Sequence, residues 1–198
     1  MSEFPRMRAL VLASTSAYRR ALLTRLALPF DVVAPGVSED DVPEEAPAGR
    51  ARRLALAKAQ AVAHQYPEAI VIGADQVAAL GARVLHKSAH AAGCREQLTA
   101  LSGRTAAFHT ACAVIGAGAR VSRVHLDTTT VVFRALATDE IERYIERERP
   151  FDCAGAFKAE SLGISLFERI DSCDPSALVG LPLIWVAQAL RSCGYQVP

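Results

Sequence analysis

The stretch Ser14-Thr15-Ser16-Ala17-Tyr18-Arg19-Arg20 gathers hydroxyl groups and two guanidinium groups where an apolar run, Ala9 to Ala13, gives way to leucines at helical spacing, Leu22, Leu23 and Leu26. A strand, a polar turn and a helix are expected there. The first N–H groups of a helix lack partners within it and lie at the positive end of its dipole, so such a turn suits an anion. Ser16 is placed to cap the helix, and Ser14 stands two residues ahead of it. Arg19 and Arg20 fall in the first turn, where cations oppose the dipole and no acidic residue accompanies them. A bound anion resolves that conflict; a plain capped helix with surface arginines carries the same signature, and both readings stand at this point.

Asp75 follows Ile70, Val71, Ile72, Gly73 and Ala74 in a run that otherwise reads as core. A buried carboxylate is costly unless it is paired, hydrogen-bonded or bound to a metal. At a strand end beside Gln76 it suits a general base or a metal ligand, and a solvated strand end is the other reading. Glu39 is a second such carboxylate, although with Asp40, Asp41, Glu44 and Glu45 it equally forms an ordinary solvated acidic loop. Lys58 and Lys87 carry no signal in isolation.

The whole chain narrows the chemistry. Its 198 residues, 51% hydrophobic, can bury one substantial core in one domain. Twenty-two Lys and Arg against 21 Asp and Glu leave no bulk positive field for a nucleic acid polymer, so any phosphate must be held locally. Five scattered cysteines (Cys94, Cys112, Cys153, Cys173, Cys193) form no C-x-x-C pair and are expected to be reduced, buried thiols in a cytoplasmic protein. The five histidines form no zinc motif. No phosphate-binding P-loop, G-x-S-x-G elbow, signal peptide or membrane span is present in the sequence. Residues 1–6 read as an extension ahead of a natural start at Met7.

The elements that must position these residues follow from periodicity. Strands are expected at Phe30 to Val33, Ala69 to Leu80 and, weakly, Arg83 to Leu85; a Pro-containing acidic loop runs from Pro35 to Pro47, and an Ala-rich helix from Arg50 to Gln65. Ala91 to Leu101 reads as a helix stopped by Ser102-Gly103. Two Thr/Val-rich runs, Thr105 to Ile115 and Val121 to Phe133, flank Gly116-Ala117-Gly118 and form the expected hairpin. Thr138 is the expected cap of a helix reaching Arg147, followed by a strand near Ile164 to Ile170 and a last helix from Pro182 to Cys193 whose apolar face, with Trp185, is core packing. Irregular alternation with a hairpin predicts an α/β protein with a mixed, twisted β-sheet and flanking helices.

These residues, in this order, also carry a family pattern. The sequence resembles the Maf family of nucleotide pyrophosphatases through LVLASTSAYRRALL, the Glu39 loop, Lys58, VIGADQV, Lys87, LSG at Leu101 to Gly103, CAGAFKAESLG and ALVGLPL. The resemblance implies a Maf/ITPase-like fold with two lobes around a cleft, often homodimeric. It also implies hydrolysis of a nucleoside triphosphate between its α and β phosphates, assisted by a divalent cation (Mg²⁺, Mn²⁺ or Co²⁺). Ser14, Ser16, Arg19 and Arg20 match the phosphate-gripping motif, Glu39 and Asp75 the acidic, metal-binding pair with Asp75 as proton acceptor, and Lys58 and Lys87 the phosphate-facing lysines. Ser38 stands where the family has Asp, and Ser88 where it has Pro.

Tyr18, Gln76 and Glu160 resemble the set of the 7-methylguanosine triphosphate branch, a house-cleaning activity. A cationic methylated guanine stacks well on an aromatic ring, and its N1–H and amine suit a carboxylate. The alternatives are the dTTP/UTP branch, which differs at those three positions, and a nucleotide-binding regulator of septum formation without turnover, against which Asp75, Glu39 and both lysines speak.

Overall fold

The structure is a computed structural model that describes residues 8–116 and 120–198; the expected extension at residues 1–6, and Ala117 and Gly118 of the expected turn, lie outside them. In chain order the elements are β1 (Leu10–Ala13), α1 (Ala17–Thr24), β2 (Asp31–Val33), α2 (Pro47–Gln65), β3 (Ile70–Leu80), β4 (Arg83–Leu85), α3 (Ala91–Leu101), β5 (Thr105–Gly116), β6 (Val121–Phe133), α4 (Thr138–Glu148), β7 (Phe167–Asp171) and α5 (Leu183–Ser192), with short 3₁₀ turns at Leu162–Leu166 and Ala177–Val179. The strands form one sheet in the order β2-β1-β3-β5-β6-β7, with β4 also on β3. β1 pairs in parallel with β2 and β3, whereas β3, β5, β6 and β7 run antiparallel to their neighbours, so the sheet is mixed, as expected.

One irregularity of this sheet makes the site. On one edge of β3, β1 pairs with Ile70 to Gly73 and β4 with Ala78 to Leu80. Residues 74–77 between them have no strand on that edge, so a cleft opens there. Asp75 and Gln76 therefore lie in the middle of an 11-residue strand and not at its end, a correction to the sequence reading. A gap in the neighbouring strand exposes them where a strand terminus was expected to.

Side chains alternate across a strand, and β3 uses both faces. Val71, Gly73, Asp75 and Val77 face α2, which buries Ala51, Leu54, Ala55, Lys58, Ala59 and Val62 at helical spacing. A lysine thus occupies an otherwise apolar stripe. Gly73 lets the helix come close: a Cβ there would sit 2.5 Å from the Ala55 carbonyl oxygen and 2.5 Å from the Ala59 nitrogen.

The other face carries two apolar clusters. Ile70, Ile72 and Ala74 join Leu10, Leu12, Leu22, Leu23 and the α5 residues Val186, Ala189 and Leu190. Ala78 joins Phe108, Phe133, Phe157 and the inner faces of α3 and α4. Gln76 falls between them, as does Thr110 between Phe108 and Cys112 on the paired strand. The long strands thus run through two packed halves with a polar seam between them.

Local corrections are small. The cap of α4 is Ala137, whose N–H donates to the Glu140 carboxylate at 2.9 Å, and Thr138 is the first helical residue. Residues expected to start a strand at Ile164 form a 3₁₀ turn, and β7 begins at Phe167. All five cysteines are free, but only Cys94 and Cys112 are buried, and Cys173 is exposed. Trp185 is half-buried and stacks on His125, with ring centroids 5.2 Å apart. No helix among the described residues is long and apolar enough to cross a membrane.

Because backbone atoms, not flexible side chains, meet the new methyl, Gly73→Ala must push α2 off the sheet. We expect a loss of about 1–3 kcal/mol in denaturant unfolding.

Candidate active site

Two connected cavities occupy the cleft. The larger, about 710 Å³, is lined by Ser14, Ser16, Arg19, Glu39, Lys58, Asp75 and Lys87 among others. The smaller, about 120 Å³, is lined by Phe108, Phe157 and Glu160, and shares Tyr18, Arg19, Gln76 and Lys87 with the larger.

At the β1–α1 turn, the Ser16 hydroxyl caps the helix by accepting from the Arg19 N–H at 3.4 Å, and the Ser14 hydroxyl accepts from the Ser16 N–H at 3.1 Å. Arg19 is half-buried and donates from Nε to the Gly180 carbonyl at 3.0 Å. Gly180 has φ +121°, and a Cβ on it would lie 3.5 Å from Arg19 Nε, so a bare backbone suits this approach. Burial pushes the Arg19 guanidinium below its usual value and Asp75 and Glu39 pull it back; from so high a reference it stays charged.

The centre of the larger cavity is Lys58. Its Nζ lies 2.6 Å from Asp75 Oδ1 and 2.6 Å from Glu39 Oε1. The Lys58 side chain is 6% exposed and Asp75 9%, while Glu39 is 58% exposed and forms the solvent side of the triad. Partial burial alone would raise the Glu39 carboxyl, but Lys58, with Arg19 and Lys87, holds it below the usual carboxylate range. The loop bearing Glu39 is pinned to α2: Arg50 donates to the Glu39 carbonyl at 2.8 Å and pairs with Asp41, and Arg53 pairs with Glu45 at 2.7 Å. The acidic loop is thus bound down to the helix, not simply solvated. Ser38 turns its hydroxyl to Asp40 within the loop. Lys87 is exposed and bridges to Ala154, while Ser88 accepts from Gln97 at 2.7 Å where a proline would have stiffened the turn.

In the smaller cavity, the Tyr18 hydroxyl donates to Asp152 Oδ2 at 3.0 Å, and burial with the neighbouring Cys153 and Asp152 pushes its phenol upward. The Cys153 thiol is pushed up to about 12 by burial and by Asp152, which leaves it unreactive. Gln76 Nε2 donates to Thr110 Oγ1 at 2.9 Å and to the carbonyls of Ala177 and Leu178, each at 3.0 Å. Those carbonyls are held by buried Asp174, which accepts from the Ser176 N–H at 3.0 Å and from Ile184 N–H at 2.7 Å at the start of α5.

Of the expected site residues, Ser14, Ser16, Tyr18, Arg19, Glu39, Lys58, Asp75, Gln76, Lys87 and Glu160 line these two cavities. Arg20, expected beside Arg19, does not. It is exposed beside Thr24, Leu28 and Phe30 on another side of α1, because adjacent helical residues diverge by about 100°. Sequence reasoning passed over Asp152, Thr110 and Asp174. Asp152 adjoins the CAGAFK stretch, but Thr110 and Asp174 carry no local signal.

Among the described residues no group of three or more His, Cys, Asp or Glu could hold a metal ion. The Lys58 ammonium stands 2.6 Å from both Glu39 and Asp75, the two carboxylates expected to bind a metal.

This geometry separates the two arginines. Arg19→Ala should lower kcat/KM by about ten- to hundredfold, the scale of a lost charge-assisted hydrogen bond, while Arg20→Ala stays near the parent. Steady-state kinetics of both variants, with a melting curve to show that each is folded, distinguishes this from a shared role.

Residues 9–193 match the family described as Maf-like protein. A 7-methyl-GTP pyrophosphatase of Xanthomonas axonopodis pv. citri (strain 306) is 53% identical over 192 residues, covering 97% of this chain and 100% of that one. One of Aromatoleum aromaticum (strain DSM 19018 / LMG 30748 / EbN1) is 50% identical over 189 residues, covering 96% and 97%. Among solved structures, the Staphylococcus aureus Ham1 protein shares 16% identity at a TM-score of 0.46 over 64% of this chain and 72% of that one. With a family match across nearly all its length and relatives half identical to it, the chain belongs to the Maf-like family.

Proposed function

We propose that the protein is a nucleoside triphosphate pyrophosphatase that releases pyrophosphate and a nucleoside monophosphate, with 7-methyl-GTP as its preferred substrate. The observation that carries this reading is the division of the cleft: a charged cavity built on Lys58, Asp75, Glu39 and Arg19 opens into a smaller one lined by Tyr18, Gln76 and Glu160. The first suits a triphosphate and the second a base. Relatives at about half identity bear the name 7-methyl-GTP pyrophosphatase.

In the step we envisage, a water oxygen bonds to the α-phosphorus, the bond from that phosphorus to the α–β bridging oxygen breaks, and pyrophosphate leaves with the electron pair. Asp75 takes the water proton. Its Oδ1 is occupied by Lys58, and no described residue bonds to Oδ2, which is open to the cleft. Lys58 orients that carboxylate through its 2.6 Å contact to Oδ1. Arg19, Lys87 and the N–H groups at the start of α1 face the phosphates and oppose their charge. A divalent cation would be held by Glu39, the exposed member of the triad, with water and phosphate oxygens, and would neutralise further charge on the triphosphate.

The lining of the smaller cavity supports a choice of base. Methylation at N7 makes guanine cationic, so the Tyr18 ring gains ~0.5–2 kcal/mol from the charge, while Glu160 accepts from N1–H and the amine.

Two measurements check the proposal. With labelled triphosphate, the first products should be monophosphate and pyrophosphate; diphosphate and orthophosphate would place the cleavage elsewhere. Asp75→Asn should then lower turnover about 10²- to 10⁴-fold in a folded protein. For the base, 7-methyl-GTP should exceed GTP in kcat/KM by about two- to thirtyfold. Glu160→Gln should lose more on the methylated nucleotide than Tyr18→Trp does. Faster hydrolysis of dTTP or UTP, indifferent to Glu160→Gln, would refute the guanine assignment.

A further inference from the structure

The stretch ALVGLPL, Ala177 to Leu183, holds no catalytic side chain, yet the Gly180 carbonyl within it accepts from Arg19 Nε at 3.0 Å. A guanidinium is planar and its five donors form a fixed fork, so one bond at Nε sets the plane and direction of both terminal nitrogens. Those two nitrogens bond to nothing among the described residues, on a side chain that lines the cavity of Glu39, Lys58 and Asp75. An arginine that rotates freely loses rotamer entropy when it grips an anion. One held in advance has already lost it.

What holds the Gly180 carbonyl in place is one buried carboxylate. Asp174, 4% exposed, accepts from the Ser176 N–H at 3.0 Å through Oδ1 and from the Ile184 N–H at 2.7 Å through Oδ2, so its two oxygens tie both ends of the segment that contains Gly180. Inside this strap, Ser176 Oγ accepts from the Leu183 N–H at 2.8 Å and donates to the Leu181 carbonyl at 2.9 Å. Asp174 itself lines neither cavity. We propose that Asp174 is a positioning residue for phosphate binding: by closing the strap it fixes the Gly180 carbonyl, and that carbonyl aims the Arg19 guanidinium into the larger cavity. The ligand it serves is the polyphosphate chain, whatever base is attached. This rests on the phosphate half of the functional reading above.

The test measures binding of inorganic triphosphate with Mg²⁺ to the full chain by calorimetry, a ligand that carries no base and a readout that needs no turnover. Asp174→Asn keeps the size but has one acceptor oxygen for two N–H groups, and should weaken binding about three- to tenfold, the size of one neutral hydrogen bond. Loss of a negative charge alone would tighten an anion, so the direction is informative. Ser176→Ala, a smaller change that leaves Asp174 in place, should also weaken binding. In an Arg19→Ala background, Asp174→Asn should change the dissociation constant by less than about twofold, because the group it aims is gone. Titrations are run below the melting transition of every variant. The inference is overturned if Asp174→Asn only lowers the melting temperature and binds triphosphate as the parent does, or if its full loss is added on top of that of Arg19→Ala. Failure of the parent protein to bind inorganic triphosphate removes the phosphate reading of the cavity, and this inference with it.

Discussion

A single ammonium group, Lys58 Nζ, shared at 2.6 Å between Asp75 and Glu39, sets the terms for the rest of the molecule. A lysine in the apolar stripe of a helix is costly to bury unless its charge is matched, and a carboxylate inside a hydrophobic strand has the same problem. Each solves the other's. The arrangement requires α2 to lie almost against β3, which Gly73 permits, and requires the loop before α2 to fold back so that Glu39 meets the same nitrogen, which Arg50 and Arg53 enforce. Removing one member of such a pair exposes the whole desolvation cost of the other, so stability depends on keeping the group together.

The second organising feature is the polar seam across the sheet. Gln76 and Thr110 are direct cross-strand partners, and Asp127 faces Thr110 on the next strand. Burial and the nearby Asp174 carboxyl push Asp127 upward, while Asp174 itself holds the turn that supplies carbonyls to Gln76 and, through Gly180, to Arg19. Residues of this seam separate two apolar clusters and line the boundary where the smaller cavity opens. Buried polar groups joined in this way rigidify their surroundings.

Alternation along β3 joins the two features. Asp75 points to α2 and Gln76 to the opposite face, so adjacent residues serve the charged cavity and the polar seam respectively. Both are reachable from one cleft because the strand edge between β1 and β4 is left open.

Much of this was legible in the sequence. Periods of two and of 3.6 located nearly every strand and helix, whereas only the resemblance to the Maf family gathered Ser14, Arg19, Glu39, Lys58, Asp75, Lys87, Tyr18, Gln76 and Glu160 into one expected site. Local pattern encodes which face of an element is apolar, because that phase repeats within a few residues. What lies across from that face is set by contacts distant in the chain, and only the tertiary structure decided it. Lys58 looked ordinary until a carboxylate 17 residues away proved to be its partner. Arg19 and Arg20 looked equivalent until the turn of the helix sent one into the cleft and the other out of it. The orientation of the Gln76 amide depends on carbonyls 101 and 102 residues further on, and backbone oxygens have no letter in a sequence.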